Sequence, residues 1–184
     1  QLGIPISYSV GSTLTFGPSG AFDPKSKYFV YECDEFDRNM LHFWPNLSII
    51  TSLDHDHFDT YPALSDYKAA FRSFMEQSDM TLLWEREMRY LELGHEDVNS
   101  EAYDETRELD HITLVGDHNR HNAYLVERAC YILFPDRSHL EVGAALNSFP
   151  GTARRFEKLT DGIYSDYAHH PSEIAATLQM ASEV

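Results

Sequence analysis

Residues 28–61 read YFVYECDEFDRNMLHFWPNLSIITSLDHDHFDTY, and the interpretation of this stretch decides the fold. It contains two apolar runs, 28–31 and 47–50, each too short for a helix and rich in β-branched and aromatic side chains. Runs of that kind read as buried strands of a parallel sheet. Each is followed at once by hard ligands: Glu32, Asp34, Glu35 and Asp37 after the first, and Asp54, His55, Asp56, His57 and Asp59 after the second. Open α/β sheets bind ligands beyond the carboxyl ends of their strands. Two acidic strand ends side by side would form a divalent-cation site, in which carboxylates suit magnesium and an imidazole adds a donor. The fold class expected is α/β, a mostly parallel sheet flanked by helices, with strands 28–33 and 47–52 as parallel neighbours. A single acidic turn is more often a solvated loop. Two of them, each directly behind a strand, favour a site.

Composition narrows the function. The 184 residues are 42% hydrophobic, with 11 Tyr, 11 Phe and 2 Trp, which is enough for a packed core. A formal charge of −16 offers no basic face for a nucleic-acid partner. It also means that any polyphosphate ligand would need accompanying cations. Cys33 and Cys130 make no disulfide framework, and a reducing cytoplasm is the simplest setting. No apolar run approaches the ~18 residues of a membrane span, and Gln1 does not open a signal peptide.

Residues 1–27 are dense in Gly, Ser and Pro and read as irregular, with at most a short strand near 13–16. Residues 38–45 suit one helical turn and a return. Leu64, Tyr67, Ala70, Phe71 and Phe74 recur at helical spacing and predict a helix over 64–77. Further helices are expected at 84–93, 123–133 and 137–149, and from Pro171 onward, where proline suits a first helical turn. Strands are expected at 80–83, 111–115, 154–159 and 163–166, the last two joined by an Asp161-Gly162 turn. The acidic segment 96–110 reads as a solvated loop or an edge strand.

Four segments, in order, resemble the Mur ligase family. ECDEFD (32–37) is similar to its E-A-D-E-S/Y-D strand end, and IITSLDHDHFDTYP (49–62) to its T-N-I-D/E-x-D-H-x-D-x-Y strand end. GDHNRHNAYL (116–125) is similar to G-x-H-N-x-x-N, and SDYAHHPSEIAATL (165–178) to D-D-Y-G/A-H-H-P-T-E. The resemblance covers residues 28–178 and lies nearest the alanine-adding branch. It implies a Mur ligase middle domain over 1–160, partial and truncated at its N-terminus, followed by the opening of the C-terminal ligase domain over 161–184. The implied chemistry is ATP-dependent amide-bond formation in cell-wall synthesis, adding L-alanine to UDP-N-acetylmuramate through an acyl phosphate, with ATP and magnesium as cofactors.

The resemblance also carries residue roles. Glu32 matches a magnesium-binding glutamate, and His57 the histidine that holds a second magnesium; otherwise His57 would be a turn histidine satisfied by Asp54 or Asp59. His118 and Asn122 would contact the adenine, as would Asn119 unless it caps the helix. Arg155 would reach the ATP phosphates, whereas Arg154 reads as an exposed strand residue. Asp166 would meet the ribose, and His169 or His170 the acceptor amino acid or the acyl phosphate. There are departures. No G-x-x-x-x-G-K-S/T phosphate loop occurs in the sequence, Ser52 replaces an Asn, and Ser165 replaces the first Asp of a pair. The polypeptide therefore reads as a fragment or reduced form without the N-terminal and remaining C-terminal ligase regions, inactive by itself. Three alternatives remain: the branch that reattaches recycled tripeptide, a metal-dependent hydrolase on His55-x-His57-x-Asp59, and a non-catalytic binding module.

Overall fold

In the computed structural model, which describes residues 2–184, the polypeptide divides into two compact units, each with its own small sheet. One unit contains 33–109 and 121–136, the other 110–120, 137–184 and the residues up to Glu32.

The first of these is built on β5 (Thr81–Trp84), whose four residues are all buried. It lies between β4 (Ser48–Ile49) and β6 (Ser100–Tyr103), parallel to both. Parallel neighbours require crossovers, and these contain α1 (Leu64–Gln77) and α2 (Glu85–Tyr90). Helix α1 occupies the segment its periodicity predicts and turns Tyr67, Ala70, Phe71 and Met75 into a core with Met40, Ile50, Tyr61, Leu83, Met88 and Leu91. A 3-10 segment, Phe36–His42, is kinked by left-handed backbone at Asp37 and Arg38 and supplies Met40. The buried carboxylate of Glu87 accepts the Leu53 N–H at 3.1 Å and Arg86 Nε–H at 2.7 Å. It thereby joins the end of the β4 segment to α2.

In the second unit β1 (Ser7–Ser9) pairs parallel with β3 (Phe29–Tyr31) and antiparallel with β2 (Gly20–Ala21). A separate hairpin, β7 (Glu157–Thr160) and β8 (Ile163–Ser165), turns at Asp161-Gly162, where Gly162 takes φ +73°. Helix α3 (Asp117–Leu133) has its first turn in this unit and its remainder in the other. Helix α4 (His139–Asn147) is closed by a reciprocal cap: Ser138 Oγ accepts the Glu141 N–H and Glu141 Oε2 accepts the Ser138 N–H. Helix α5 (Pro171–Ala181) begins on its proline, as predicted.

Several expectations are corrected. Strands 28–33 and 47–52 are not neighbours: β3 pairs with β1, and β4 pairs with β5. The place beside β4 is taken by the more apolar Thr81–Trp84. The run 28–31 is no buried strand either, since Phe29, Val30 and Tyr31 are 63%, 45% and 38% exposed on an edge. The short strand near 13–16 is absent, and the irregular N-terminal segment instead forms β1 and β2. Residues 111–115 form no strand, because the Asn147 side chain takes the Thr113 N–H and the His111 carbonyl that a ladder would need. Strand β7 starts at Glu157 rather than 154, since Arg154 and Phe156 have φ of +59° and +51°, incompatible with extended backbone.

Leu83, with no exposed surface, sits in the core of the β5 unit. Leu83→Ala is expected to lower unfolding stability by about 2–5 kcal/mol, the usual cost of a core cavity. A denaturant titration checks this, and a loss below about 1 kcal/mol would mean that β5 does not organise the core.

Candidate functional site

Three of the residues singled out for nucleotide contact come together in the unit that holds the β7–β8 hairpin. His118 stands one residue into α3, packed over Gly116, whose φ of +87° suits only glycine and whose absent side chain leaves room for the ring. A Cβ there would lie 3.0 Å from His118 Cε1. The imidazole is half-buried, and its Nδ1 is buried without a hydrogen-bond partner among the described residues. Burial pushes its pKa below the usual histidine value, opposed by Asp166 and reinforced by Arg155. Burial thus favours the neutral ring, with one nitrogen uncommitted among the described residues.

Asp166 is held by the backbone around it. Oδ2 accepts the Phe156 N–H at 2.7 Å, while Oδ1 accepts the Ala168 N–H at 2.8 Å and the Thr177 hydroxyl at 3.2 Å. The left-handed turn at Arg154 and Phe156 therefore ends on the Asp166 carboxylate. Arg154 and Arg155 lie over the Tyr167 ring, at 4.5 and 6.0 Å, and neither enters an ion pair among the described residues. In a chain of net charge −16, two guanidinium groups without a carboxylate partner are available to an anionic ligand.

The other predicted residues of this unit are placed less specifically. Asn119 does not cap α3 through its side chain; Nδ2 donates to the Val115 carbonyl at 2.8 Å. Asn122, half-buried, stands four residues beyond His118 along α3, in the part of that helix that belongs to the β5 unit. His169 Nδ1 stands 3.5 Å from Glu173 Oε2, and His170 Nδ1 lies 2.8 Å from the Ser172 hydroxyl. Both histidines thus hold the start of α5. Glu32 is exposed, and its Oε2 accepts the Gly11 N–H at 2.8 Å.

In the β5 unit the acidic residues after β3 meet those after β4. His57, in left-handed backbone at φ +55°, has Nε2 3.7 Å from Glu35 Oε1 and its ring against Phe36. Asp56 Oδ1 accepts the His57 N–H at 2.6 Å, and the Tyr61 hydroxyl donates to the Glu35 carbonyl at 2.7 Å. Glu35, one of the hard ligands behind the first run but not a position to which the family resemblance gives a role, thus brings its carboxylate within ion-pair distance of the His57 ring. His55 is spent differently, its Nε2 lying 2.9 Å from the Tyr61 carbonyl. That contact commits one of its two ring nitrogens to the backbone. Among the described residues no three His, Cys, Asp or Glu side chains converge on one ion. The Glu35 carboxylate is nevertheless a donor type magnesium accepts, with the His57 imidazole a less usual one beside it, and magnesium commonly takes one or two protein carboxylates and completes its shell with water and substrate phosphates.

No protein-family model matches the chain. Curated relatives do. A UDP-N-acetylmuramate–L-alanine ligase of Streptococcus equi subsp. zooepidemicus is 33% identical over 96% of this chain and 45% of its own length. The enzyme of that name from Lactiplantibacillus plantarum is 31% identical over 97% of this chain and 46% of its own. The chain therefore spans less than half the length of these relatives. A solved structure of UDP-N-acetylmuramate:L-alanyl-gamma-D-glutamyl-meso-diaminopimelate ligase from Neisseria meningitides superposes with a TM-score of 0.64 over 81% of this chain and 59% of that one, at 21% identity. At that identity the likeness concerns the fold. Together with the four motifs, these similarities show that the chain belongs to the Mur ligase family.

Proposed function

We propose that the chain is part of an ATP-dependent ligase of peptidoglycan synthesis that joins L-alanine to UDP-N-acetylmuramate. The single observation that carries the reading is the grouping of His118, Arg155 and Asp166 in one unit, with a buried ring nitrogen that has no hydrogen-bond partner among the described residues. The chemistry fits an adenine nucleotide. A neutral imidazole can exchange a hydrogen bond with a base edge, with Asn122 on the same helix as a second polar contact. Asp166, fixed by three donors, suits a ribose hydroxyl, and Arg155 a phosphate. His169 and His170 are proposed to face the acceptor or the acyl phosphate. In this reading 1–160 is a partial middle domain, 161–184 opens the next domain, and the further ligase regions complete the enzyme. The setting is cytoplasmic; no helix among the described residues is long and apolar enough to cross a membrane.

Magnesium, when bound, would neutralise charge developing on the transferred phosphoryl group. Glu32 is proposed as ligand to one ion and His57, with Glu35 beside it, as ligand to another.

Adding an adenosine nucleotide to the chain should shift the His118 ring resonances in NMR spectra. His118→Ala and Arg155→Ala should each weaken binding about tenfold, which corresponds to one hydrogen bond of ordinary or charge-assisted strength. Unchanged affinity in both variants would remove the nucleotide reading of this unit.

The same spectra should place the His118 titration midpoint below the ordinary value of about 6.5. Because the folded-state pKa is depressed, the neutral ring contributes stability above the unfolded-state value, and that contribution is lost as pH falls through the folded one. The fall in melting temperature on acidification should accordingly be smaller in His118→Gln.

A third expectation concerns the metal. Millimolar magnesium should raise the melting temperature, by mass action on the native state, and sodium at equal ionic strength should not. His57→Ala and Glu32→Gln should each reduce the rise. If both variants keep the full response, neither residue is a ligand.

A further inference from the structure

The first turn of α3, which presents His118, has no side-chain cap of its own. The residue before the helix is Gly116, at φ +87°, and the free N–H groups of a helix N-terminus must find acceptors elsewhere. They find them on the last turn of α5 and just beyond it. Glu183 Oε2 accepts the Gly116 N–H at 3.0 Å, and Gln179 Oε1 accepts the Asp117 N–H at 3.3 Å. Arg120, one turn into α3, completes the connection. Its Nη1 donates to Glu183 Oε2 and its Nη2 to Glu183 Oε1, both at 2.8 Å, and Nη1 also donates to the Leu114 carbonyl at 2.9 Å. Gln179 Nε2 adds a bond to Glu183 Oε1 at 2.6 Å. The Arg120–Glu183 pair is thus two-pronged, the arrangement in which guanidinium and carboxylate interact most strongly.

Apolar packing follows the same line. Met180 is 3% exposed and lies against Gly116 from the α5 side; a Cβ on Gly116 would meet its Sδ at 2.8 Å and His118 Cε1 at 3.0 Å. Gly116 is therefore enclosed between Met180 and the His118 ring, and Asn119 Nδ2 also lies 3.3 Å from Met180 Sδ. The Arg120 guanidinium holds the Glu183 carboxyl down to about 2, so the pair stays ionised across the neutral range.

We propose that Gln179, Met180 and Glu183 of the α5 end, with Arg120, are positioning residues that cap α3 from outside and set the place of His118. None of the four matches a motif position given a role above. The inference rests on the nucleotide reading of His118 and deepens it. The segment 161–184 then does more than follow the nucleotide-binding residues in sequence: docking of α5 and formation of the first turn of α3 are one event.

The test uses the whole chain with Glu183→Ala, the milder Glu183→Gln, and Arg120→Met. Amide exchange at Gly116 and Asp117 should accelerate about tenfold or more in Glu183→Ala and less in Glu183→Gln, while exchange at Tyr164 in the hairpin of the same unit stays within twofold. The His118 ring resonances should move in Glu183→Ala and Arg120→Met without any nucleotide present. Adenosine-nucleotide affinity should fall several-fold in both and recover in part in Glu183→Gln. The inference is overturned if Gly116 and Asp117 exchange at the native rate and the His118 resonances stay in place. It is equally overturned if exchange rises alike at Gly116, Asp117 and Tyr164, because the contacts then only stabilise the unit. Should the native chain fail to bind an adenosine nucleotide, the functional proposal falls, whereas amide exchange and the His118 resonances still decide whether α5 caps α3.

Discussion

Complete burial of β5 is the constraint on which the sheet-bearing unit depends. Thr81, Leu82, Leu83 and Trp84 are each fully buried, so every backbone polar group of the strand needs a partner inside the protein. A strand with neighbours on both sides satisfies that requirement, which is why β4 and β6 flank it. The Ser48 N–H donates to the Met80 carbonyl and the Ile50 N–H to the Leu82 carbonyl, while the Thr81 N–H donates to Asn99. Even the buried Thr81 hydroxyl is matched, by Ser48 at 2.8 Å. From this arrangement follow the positions of α1 and α2, and with them the Leu53–Glu87 contact that leads the chain into the His55–Asp59 turn.

Glu87 illustrates how the protein carries charge inside. Burial pushes its carboxyl pKa up, while Arg86 and the Leu53 N–H act in the opposite direction. A buried carboxylate with two donors is tolerated, and loss of Arg86 would leave it without a counter-charge. The same economy governs the few cations of an acidic chain. Arg72, Arg86, Arg89, Arg120 and Arg137 are each engaged by carboxylates. Arg154 and Arg155 are held over an aromatic ring instead, which leaves their charge available to an outside anion. Placing arginines without a carboxylate partner in the same unit as a half-buried imidazole concentrates the recognition chemistry of that unit in a few residues.

Local patterns were the most legible part of the fold. Helix α1 could be read because its apolar residues repeat at helical spacing, and α5 because Pro171 suits only the first turn. The Asp161-Gly162 turn was legible because glycine tolerates the positive φ found there. What failed was pairing. The apolar run at 28–31 has strand composition, but composition does not say which strand lies beside it. Its actual partner, Ser-Tyr-Ser in β1, is polar and carries no such signal. The segment 111–115 looked extended, yet a single side chain, Asn147, satisfied its backbone from 36 residues away.

The candidate site divides in the same manner. The sequence alone determined the kinds of residue and their order: hard ligands behind two strands, His-Asn-x-x-Asn opening a helix, paired arginines, and Asp-Tyr-x-His-His before a proline. Motif spacing constrains those features because each sits within one turn or one strand end. Tertiary structure alone decided which of them meet. The His57 ring faces the Glu35 carboxylate, His55 is occupied by the Tyr61 carbonyl, and His118 shares a neighbourhood with Asp166, 48 positions along by residue number. Glu183 closes the helix that carries His118 although 63 positions separate it from Arg120. Contacts of that range arise from the path of the backbone between them, and nothing in the local pattern of either residue encodes it.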